Sequence, residues 1–424
     1  MPVLETTLDN GLTVLLSPSG VAPVLCCAVG YRVGARNERP GITGASHWVE
    51  HMTFNRTAAL EKGDIFRRVS RCGGTNNGYT TPDFTLYYET LPAHRLELAL
   101  HIESERMGRA LFDPEETERE RGVILAERSG SENSPHFQLS QKLSEAIYQQ
   151  HSYRWPVIGT RPDLERLTRD ELFAHYRSYY VPNNAVLALA GAFDPDAALE
   201  QVRRFFDALP SGPAPPATVP PEPLQTEERR VEVRRPGGAA YLTVCYRAPA
   251  FHAPDWRVLS VADAVLSGGK SYGGGGYMGR TARLYQALVE ARLATAAGSS
   301  LRCSVDPSVF SAHLTLRPGA DPDQAEQVLR ETVAGLAGQP PSAAEMARAQ
   351  VQSEAQDAYS RDGVTGQALA LAFFQLLGHW SDLESHVRGF SSVPAGEVAR
   401  VAEQYFLPEN TTVGWFFPEE VPTA

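Results

Sequence analysis

The chain has 424 residues, of which 42% are hydrophobic and 21% are charged, and its formal net charge is -11. A single hydrophobic core stops growing at about 250 to 300 residues, so the length predicts at least two domains. The acidic balance argues against a nucleic-acid binder, because such proteins need a basic face to displace counterions. Peptides, metal ions or neutral substrates fit this composition better.

The sequence also indicates a location. Its N-terminus lacks the basic and then apolar pattern of a secretion signal, and no segment reaches the roughly 18 apolar residues of a membrane-spanning helix. The five cysteines form no C-x-x-C pair, which gives no sign of a thiolate zinc site or a disulfide framework. We therefore expect a cytoplasmic protein that binds neither membranes nor nucleic acid.

The first half reads as strands interleaved with helices. "GLTVLL" and "VLCCAVGYRV" have the β-branched content of strands, and a helix is predicted from about Gly44 to Phe54. A glycine-rich turn, "CGGTNNG", precedes "YTTPDFTLYYETL", which indicates one or two strands broken at Pro82. Residues 94–108 and 114–129 are predicted helices. This order favours an α+β fold with largely antiparallel sheets.

A proline-rich segment divides the chain into two halves of similar size. Residues 211–228 cannot form a helix or a central strand and are predicted to be a linker between domains 1–210 and 229–424. Residues 169–187 align without gaps against residues 395–413. The alignment pairs four identical residues: Glu171 with Glu397, Tyr179 with Tyr405, Pro182 with Pro408 and Asn184 with Asn410. The pattern predicts two homologous, α/β-sandwich-like domains that arose by internal duplication.

The segment "SHWVEHMTFN" crowds two imidazoles and a carboxylate together. His47 and His51 lie four residues apart, so on a helix both face the same side and can converge on one ion. Glu50 completes an H-x-x-E-H motif, the inverzincin signature, in which a carboxylate that is not a ligand takes a proton from zinc-bound water. A catalytic zinc needs a third protein ligand, which the spacing of this motif does not identify.

Candidates for that ligand lie in residues 113–130, a predicted acid-rich helix. Glu120 and Glu127 are seven residues apart and therefore share one face. The other acidic residues there are explained by charge pairs along a solvated helix. Glu127 follows the apolar run "GVILA", so we expect its carboxylate to be drawn toward the core, where it needs a partner.

These residues together resemble the M16 metallopeptidase family, which includes pitrilysin, insulin-degrading enzyme and the mitochondrial processing peptidases. "GASHWVEHMTF" is similar to the family's G-x-x-H-x-x-E-H-M-x-F segment, and "GGTNNGYTTPDFTLYY", "PVIGT" and "YYVPNNAVLALAG" are also typical. The resemblance implies Zn²⁺ held by His47, His51 and a glutamate at the position of Glu127. It implies Glu50 as the catalytic base and Glu120 as an acidic residue that orients the site.

The resemblance also implies where a peptide substrate would bind. Relatives use an aromatic residue at the position of Phe54 to line the pocket beside the scissile bond. They offer a strand edge to the peptide at the positions of Asn77 and Gly78. The implied activity is that of a zinc metalloendopeptidase that hydrolyses peptides or small unfolded polypeptides.

The chain departs from the family pattern at several positions. Ser46 and Arg56 replace small residues around the motif, and Val289 and Thr295 stand where relatives have an Arg/Tyr pair that holds the substrate. Family enzymes close two double-domain halves around the peptide, and this chain supplies one half. We therefore expect the zinc-bearing subunit of a dimer, with a partner subunit, a copy of itself or a different chain, that supplies the Arg/Tyr pair.

Two other functions compete with this interpretation. A non-catalytic assembly subunit of the same family is the main alternative, although such proteins usually lose a ligand or the base. The second alternative is a nucleotide-binding enzyme, because "AVLSGGKS", residues 264–271, fits a permissive P-loop pattern. A P-loop must follow a buried strand, however, and the residues before this segment have helical spacing. We predict instead that residues 268–279 form a glycine-rich loop over a substrate cavity.

Overall fold

The computed structural model describes residues 3–20, 22–213, 219–271, 279–384 and 389–419. Parts of the predicted linker, 214–218, and of the predicted glycine-rich loop, 272–278, lie outside the described residues. Within the described residues, no helix is both long and apolar enough to cross a membrane.

The chain forms two compact units, and each unit combines segments from both sides of the linker. Unit 1 comprises residues 1–130, 151–221 and 361–380, and unit 2 comprises residues 131–150, 222–360 and 381–424. Each unit has a mixed sheet packed against helices, so the expected α+β class is confirmed.

The sheet of unit 1 has six strands in the order β1-β2-β6-β3-β5-β4. All neighbouring pairs are antiparallel except β2 and β6, which are parallel. The strands are β1 (Leu4–Thr7), β2 (Thr13–Pro18), β3 (Val24–Tyr31), β4 (Thr75–Thr80), β5 (Thr85–Pro92) and β6 (Ala185–Gly191).

Strand β4 corrects one sequence-based expectation. The local residue pattern placed "TNNG" within a glycine-rich turn, whereas the family resemblance implied a strand edge at Asn77 and Gly78. The strand begins at Thr75 and includes both residues. Asn77 pairs with Tyr88 and Gly78 with Tyr87 in an antiparallel register. Cross-strand pairing therefore outweighs the low intrinsic β-propensity of asparagine and glycine.

The helices of unit 1 cover its sheet and carry the motif residues. They are α1 (Ala45–Thr53), α2 (Asp64–Arg71), α3 (Leu96–Arg109), α4 (Pro114–Glu132), α6 (Arg161–Arg166), α7 (Arg169–Tyr179), α8 (Pro195–Phe206) and α12 (Val364–Leu377). The last two residues of α4 belong to unit 2. Helix α12 comes from the second half of the sequence and packs on β3 and β6. Gly30 of β3 leaves room for it, because a Cβ there would lie 2.5 Å from Leu376.

Unit 2 repeats this design with a sheet in the order β7-β11-β8-β10-β9. Its single parallel pair, β7 and β11, lies at one edge of the sheet, whereas in unit 1 the additional strand β1 lies outside the parallel pair β2 and β6. The strands are β7 (Arg229–Pro236), β8 (Tyr241–Ala248), β9 (Ala294–Leu301), β10 (Ser308–Leu316) and β11 (Thr411–Glu419). The helices are α5 (Pro135–Ile147), α9 (Pro254–Ser267), α10 (Pro322–Gly338), α11 (Ala343–Ser360) and α13 (Ala395–Tyr405), with a π-helical turn at Tyr285–Glu290.

The two aligned segments fold alike. Residues 169–187 form α7, a 3₁₀ turn at Pro182–Asn184 and the start of β6, and residues 395–413 form α13, a 3₁₀ turn at Pro408–Asn410 and the start of β11. The side-chain amide of Asn184 donates to the carbonyl of Tyr179 at 2.9 Å, and that of Asn410 donates to Tyr405 at 2.8 Å. Both β6 and β11 lie between one parallel and one antiparallel neighbour, and this likeness, with the matching hydrogen bonds, supports the predicted duplication.

Candidate metal centre

Helix α1 presents the histidine motif, and its N-terminus is fixed by a buried carboxylate. Gly44 precedes the helix with φ of 89°, in the left-handed region, and a Cβ there would lie 2.7 Å from the carbonyl oxygen of Ile158. The backbone N–H groups of Gly44 and Ser46 each donate to Glu38 at 2.7 Å. Burial raises the pKa of Glu38 to about 7, although these hydrogen bonds oppose the shift. Glu38 thus satisfies N–H groups that no side chain of the helix caps.

Helix α4 carries the second part of the site, and its arginines hold it in place. Arg121 donates to the carbonyl of Leu167 at 2.9 Å, and Arg128 donates to the carbonyl of Gly159. Each arginine directly follows one of the two candidate acidic residues, Glu120 and Glu127. Anchoring at these two positions turns both carboxylates toward α1.

His47, His51 and Glu127 come together. Their ligand atoms all lie within 4.8 Å of one another, and the two imidazole rings are 4.6 Å apart between centroids. The Nε2 atoms of His47 and His51 lie 3.8 Å and 3.7 Å from the two carboxylate oxygens of Glu127. Tetrahedral coordination with bonds near 2.1 Å would separate ligand atoms by about 3.4 Å, so a small side-chain movement lets this set hold a metal ion.

One expectation about Glu127 is wrong. Its side chain is 47% exposed, so the carboxylate is not drawn into the core. Ile124 and Arg128 occupy the buried face of α4, whereas Val123 is also exposed. The apolar run that precedes Glu127 is therefore partly buried and partly exposed to solvent. Glu127 lies on the exposed side and faces the histidines from there.

Glu120 contacts His51 directly. Its Oε1 lies 2.8 Å from Nδ1 of His51, and this hydrogen bond lowers the pKa of Glu120. An ionised carboxylate only accepts, so Nδ1 carries the proton and Nε2 keeps the lone pair that a metal needs. Burial disfavours the charged imidazole, but Glu120 and nearby carboxylates raise the pKa of His51 overall.

His47 lies in a different environment. Burial, reinforced by His51, lowers the pKa of His47 to about 3, so its ring is neutral at physiological pH. Its Nδ1 is buried and has no hydrogen-bond partner among the residues that the structure describes. A neutral imidazole with a free Nε2 is the form that binds metals.

Glu50 lies on α1 between the two histidines and is 8% exposed. Burial raises its pKa, and a hydrogen bond from the hydroxyl of Thr80 to Oε2, 2.6 Å long, opposes this shift. Thr80 was not among the predicted site residues, although it lies within the segment "GGTNNGYTTPDFTLYY" that resembles the family. A buried carboxylate beside a metal-ligand set can take up a proton from water.

The residues predicted to bind a peptide lie beside α1. Asn77 and Gly78 are on β4, which is an edge strand of its sheet. Phe54 ends α1, and a Cβ at Gly78 would lie 3.1 Å from its ring. The Phe54 ring stacks on the Phe66 ring with centroids 5.4 Å apart, and Phe66 is 48% exposed. An open strand edge flanked by aromatic rings is suited to an extended peptide.

A cluster of buried charged residues packs against the Phe54 ring. No pattern in the sequence indicated this cluster. Arg106 is fully buried, and its guanidinium carbon lies 4.9 Å from the centroid of the Phe54 ring. Arg106 forms ion pairs with Glu103 and Glu89, which are also buried. Burial, together with repulsion from Glu103, raises the pKa of Glu89 well above its usual range. Because a raised pKa favours the protonated form of Glu89, Glu103 is the carboxylate that balances the charge of Arg106.

Unit 2 holds the positions where the family's Arg/Tyr pair was expected. Val289 lies on the π-helical turn, half-buried against the core of this unit, and Thr295 is exposed on the edge strand β9. The P-loop alternative is wrong, because helix α9 occupies Pro254–Ser267 directly before "GGKS". Lys270 instead donates to the carboxylate of Asp263 at 2.6 Å, so it is not arranged to hold a phosphate.

Comparison with known proteins decides the family. Residues 13–161 match the family model described as insulinase (peptidase family M16), and residues 166–353 match the model described as peptidase M16 inactive domain. The chain belongs to the M16 peptidase family. A relative from Helicobacter pylori named zinc protease PqqE is 28% identical over 98% of this chain and 92% of its own length.

One further relative and one solved structure are similar to this chain over most of its length. The mitochondrial-processing peptidase subunit beta of Bos taurus is 27% identical over 77% of this chain and 66% of its own length. The crystal structure of a protease from Helicobacter pylori superposes with a TM-score of 0.92 and 26% identity, covering 98% of this chain and 99% of that one. The resemblance inferred from the motifs is confirmed, as is the fold class.

Proposed function

We propose that this protein is a zinc-dependent endopeptidase that hydrolyses peptides or small unfolded polypeptides. The observation that carries the proposal is the convergence of His47, His51 and Glu127 beside Glu50. Two imidazoles and a carboxylate are a typical ligand set for catalytic zinc, and the hydrogen bond from His51 to Glu120 fixes the required tautomer.

In this mechanism His47, His51 and Glu127 hold the ion. The chemistry that zinc supplies when bound is Lewis acidity, which makes a water more acidic and a peptide carbonyl more electrophilic. Glu50 accepts a proton from the attacking water and later donates it to the amine that leaves. The edge of β4 at Asn77 and Gly78 pairs with the extended peptide, and Phe54 contacts the side chain beside the scissile bond.

We further propose that the chain is the zinc-bearing half of a dimeric clamshell. In sequence terms, residues 1–210 form the zinc-binding domain, residues 211–228 the linker and residues 229–424 the homologous domain without metal. The name of one relative, a subunit beta, supports a multi-subunit enzyme. A partner chain would supply the Arg/Tyr pair that Val289 and Thr295 replace. The five free cysteines fit a reducing compartment such as the cytoplasm.

A Glu50→Gln variant tests the central proposal. It should retain about one zinc per chain, because Glu50 is not a ligand, and lose peptide cleavage. His47→Ala should lose both metal and cleavage. Zinc content is measured by elemental analysis and cleavage with a quenched fluorescent peptide library. A Glu50→Gln protein that cleaves at the wild-type rate removes Glu50 from the mechanism.

The alternative function, a non-catalytic assembly subunit, is favoured by the name of the model that matches residues 166–353, an inactive domain. The same experiments separate the two functions. An assembly subunit would show no chelator-sensitive cleavage, alone or with a copurified partner. Size-exclusion chromatography of the active species tests the dimer, and full activity in a monomer would refute the need for a partner.

A further inference from the structure

The hydroxyl of Thr80 makes a short, direct contact with the carboxylate of Glu50. Thr80 Oγ1 donates to Glu50 Oε2 at 2.6 Å, and both residues are partly or fully shielded from solvent. The two residues lie on different elements, β4 and α1, thirty positions apart in sequence. A hydrogen bond to an ionised acceptor is about twice as strong as one between neutral groups.

The fold holds Thr80 in place independently of Glu50. Thr80 ends β4, where it pairs with Thr85 across the sheet. The next residue, Thr81, closes the connecting turn: its hydroxyl accepts from the backbone N–H of Asp83 at 3.1 Å and donates to the carbonyl of Phe84 at 2.9 Å. The hydroxyl of Thr80 therefore lies on a hairpin that cross-strand pairing and turn hydrogen bonds hold in place.

We propose that Thr80 is a positioning residue that aims the carboxylate of Glu50 at the attacking water. The inference rests on the proposed function, because it assigns Thr80 to the base of that mechanism. A carboxylate on a flexible side chain samples many orientations, and a general base must lie within hydrogen-bond reach of the proton it takes. Fixing Oε2 sets the carboxylate plane and leaves Oε1 to accept the proton.

The position of Thr80 also links base orientation to substrate binding. The donor stands at the end of the same edge strand that carries Asn77 and Gly78. A peptide that pairs with β4 would therefore lie beside the hydroxyl that holds Glu50. The strand that binds the substrate and the donor that orients the base are then parts of one element.

The test compares Thr80→Val with Thr80→Ser in the full-length protein. Valine keeps the shape and strand preference of threonine but removes the donor, whereas serine keeps the donor. Thr80→Val should lower kcat roughly 10- to 100-fold, because a hydrogen bond to a charged group is lost, while KM and zinc content stay at wild-type values. Thr80→Ser should restore kcat. Thr7→Val is the matched control, an exposed threonine on the opposite edge strand of the same sheet.

Several outcomes would overturn the inference. A Thr80→Val enzyme with wild-type kcat would do so, as would equal losses of kcat in the valine and serine variants, which would assign the effect to packing. Thr80→Ala supplies a second variant without the donor in case the valine variant does not fold. Crystal structures of the metal-free proteins give a readout apart from activity: Glu50 should keep its carboxylate position in the wild type and Thr80→Ser, and lose it in Thr80→Val. A wild-type protein without peptidase activity would refute the proposed function, whereas an unmoved Glu50 in Thr80→Val would refute the role of Thr80.

Discussion

Replacing Glu120 with alanine should weaken zinc binding without removing any proposed ligand. Glu120 accepts from Nδ1 of His51 at 2.8 Å, and its side chain is only 13% exposed, so water replaces this contact poorly. In the variant the imidazole keeps its metal-binding Nε2 but loses the acceptor that fixes its tautomer and its rotation.

The magnitude follows from the type of contact. A hydrogen bond to a charged group contributes about 1.5 to 3 kcal/mol, which corresponds to roughly a 10- to 100-fold change in an equilibrium constant. Loss of an outer partner of a metal-binding histidine typically costs affinity by the same factor. We therefore expect the zinc Kd of Glu120→Ala to rise about 10- to 100-fold, with an intermediate value for Glu120→Gln, whose amide oxygen still accepts.

The assay is a competition titration against a chromophoric chelator at neutral pH. Glu115→Ala is the matched control, since Glu115 lies on the same helix with its side chain 84% exposed and pairs only loosely with Arg119 at 3.6 Å. Its zinc Kd should equal that of the wild type. If Glu120→Ala binds zinc as tightly as Glu115→Ala, then Glu120 does not orient the site and the reasoning fails.

Two further predictions concern stability. Burial lowers the pKa of His175 to about 4, from 6.5 in an unfolded chain, so the unfolded state binds the extra proton and stability should fall as pH drops from about 6.5 to 4. In urea unfolding of the metal-free protein, the free energy of unfolding should fall by up to about 3 kcal/mol over this pH range. The His175→Gln variant should lack this contribution, and an equal pH dependence in both proteins would contradict the prediction. Gly30→Ala should destabilise by about 1 to 3 kcal/mol because its Cβ would meet Leu376 at 2.5 Å. Gly335→Ala, in open space within α10, should stabilise by about 0.5 to 1 kcal/mol; thermal unfolding that moves the two variants in the same direction would refute this packing argument.

Several features of this protein could be predicted from local sequence. The predicted helix from Gly44 to Phe54 agrees with α1, which Gly44 precedes and Phe54 follows. The aligned segments at the ends of the two halves fold into the same helix, turn and strand. Helical periodicity before "GGKS" correctly argued against a P-loop. These features depend on side-chain spacing and proline turns, which act over a few residues.

Other features needed the tertiary structure. The strand β4 includes residues expected in a turn, because its pairing with β5 outweighs their low propensity. Arg106 meets Phe54 across 52 positions of sequence, and Thr80 meets Glu50 across thirty, without any local pattern that announces the contact. The assignment of α12 to unit 1 was also not visible in the sequence.

By itself, the sequence determined the family, the placement of His47, Glu50 and His51 on one helix and the likeness of the two end segments, since each depends on residue type and short spacing. Only the tertiary structure decided how α4 approaches α1. Arg121 and Arg128 hold that helix by backbone carbonyls, and this places Glu127 beside the imidazoles from the solvent side rather than from the core. Contacts between distant segments depend on how whole helices and strands pack. The spacing of residues within one segment does not reveal that packing.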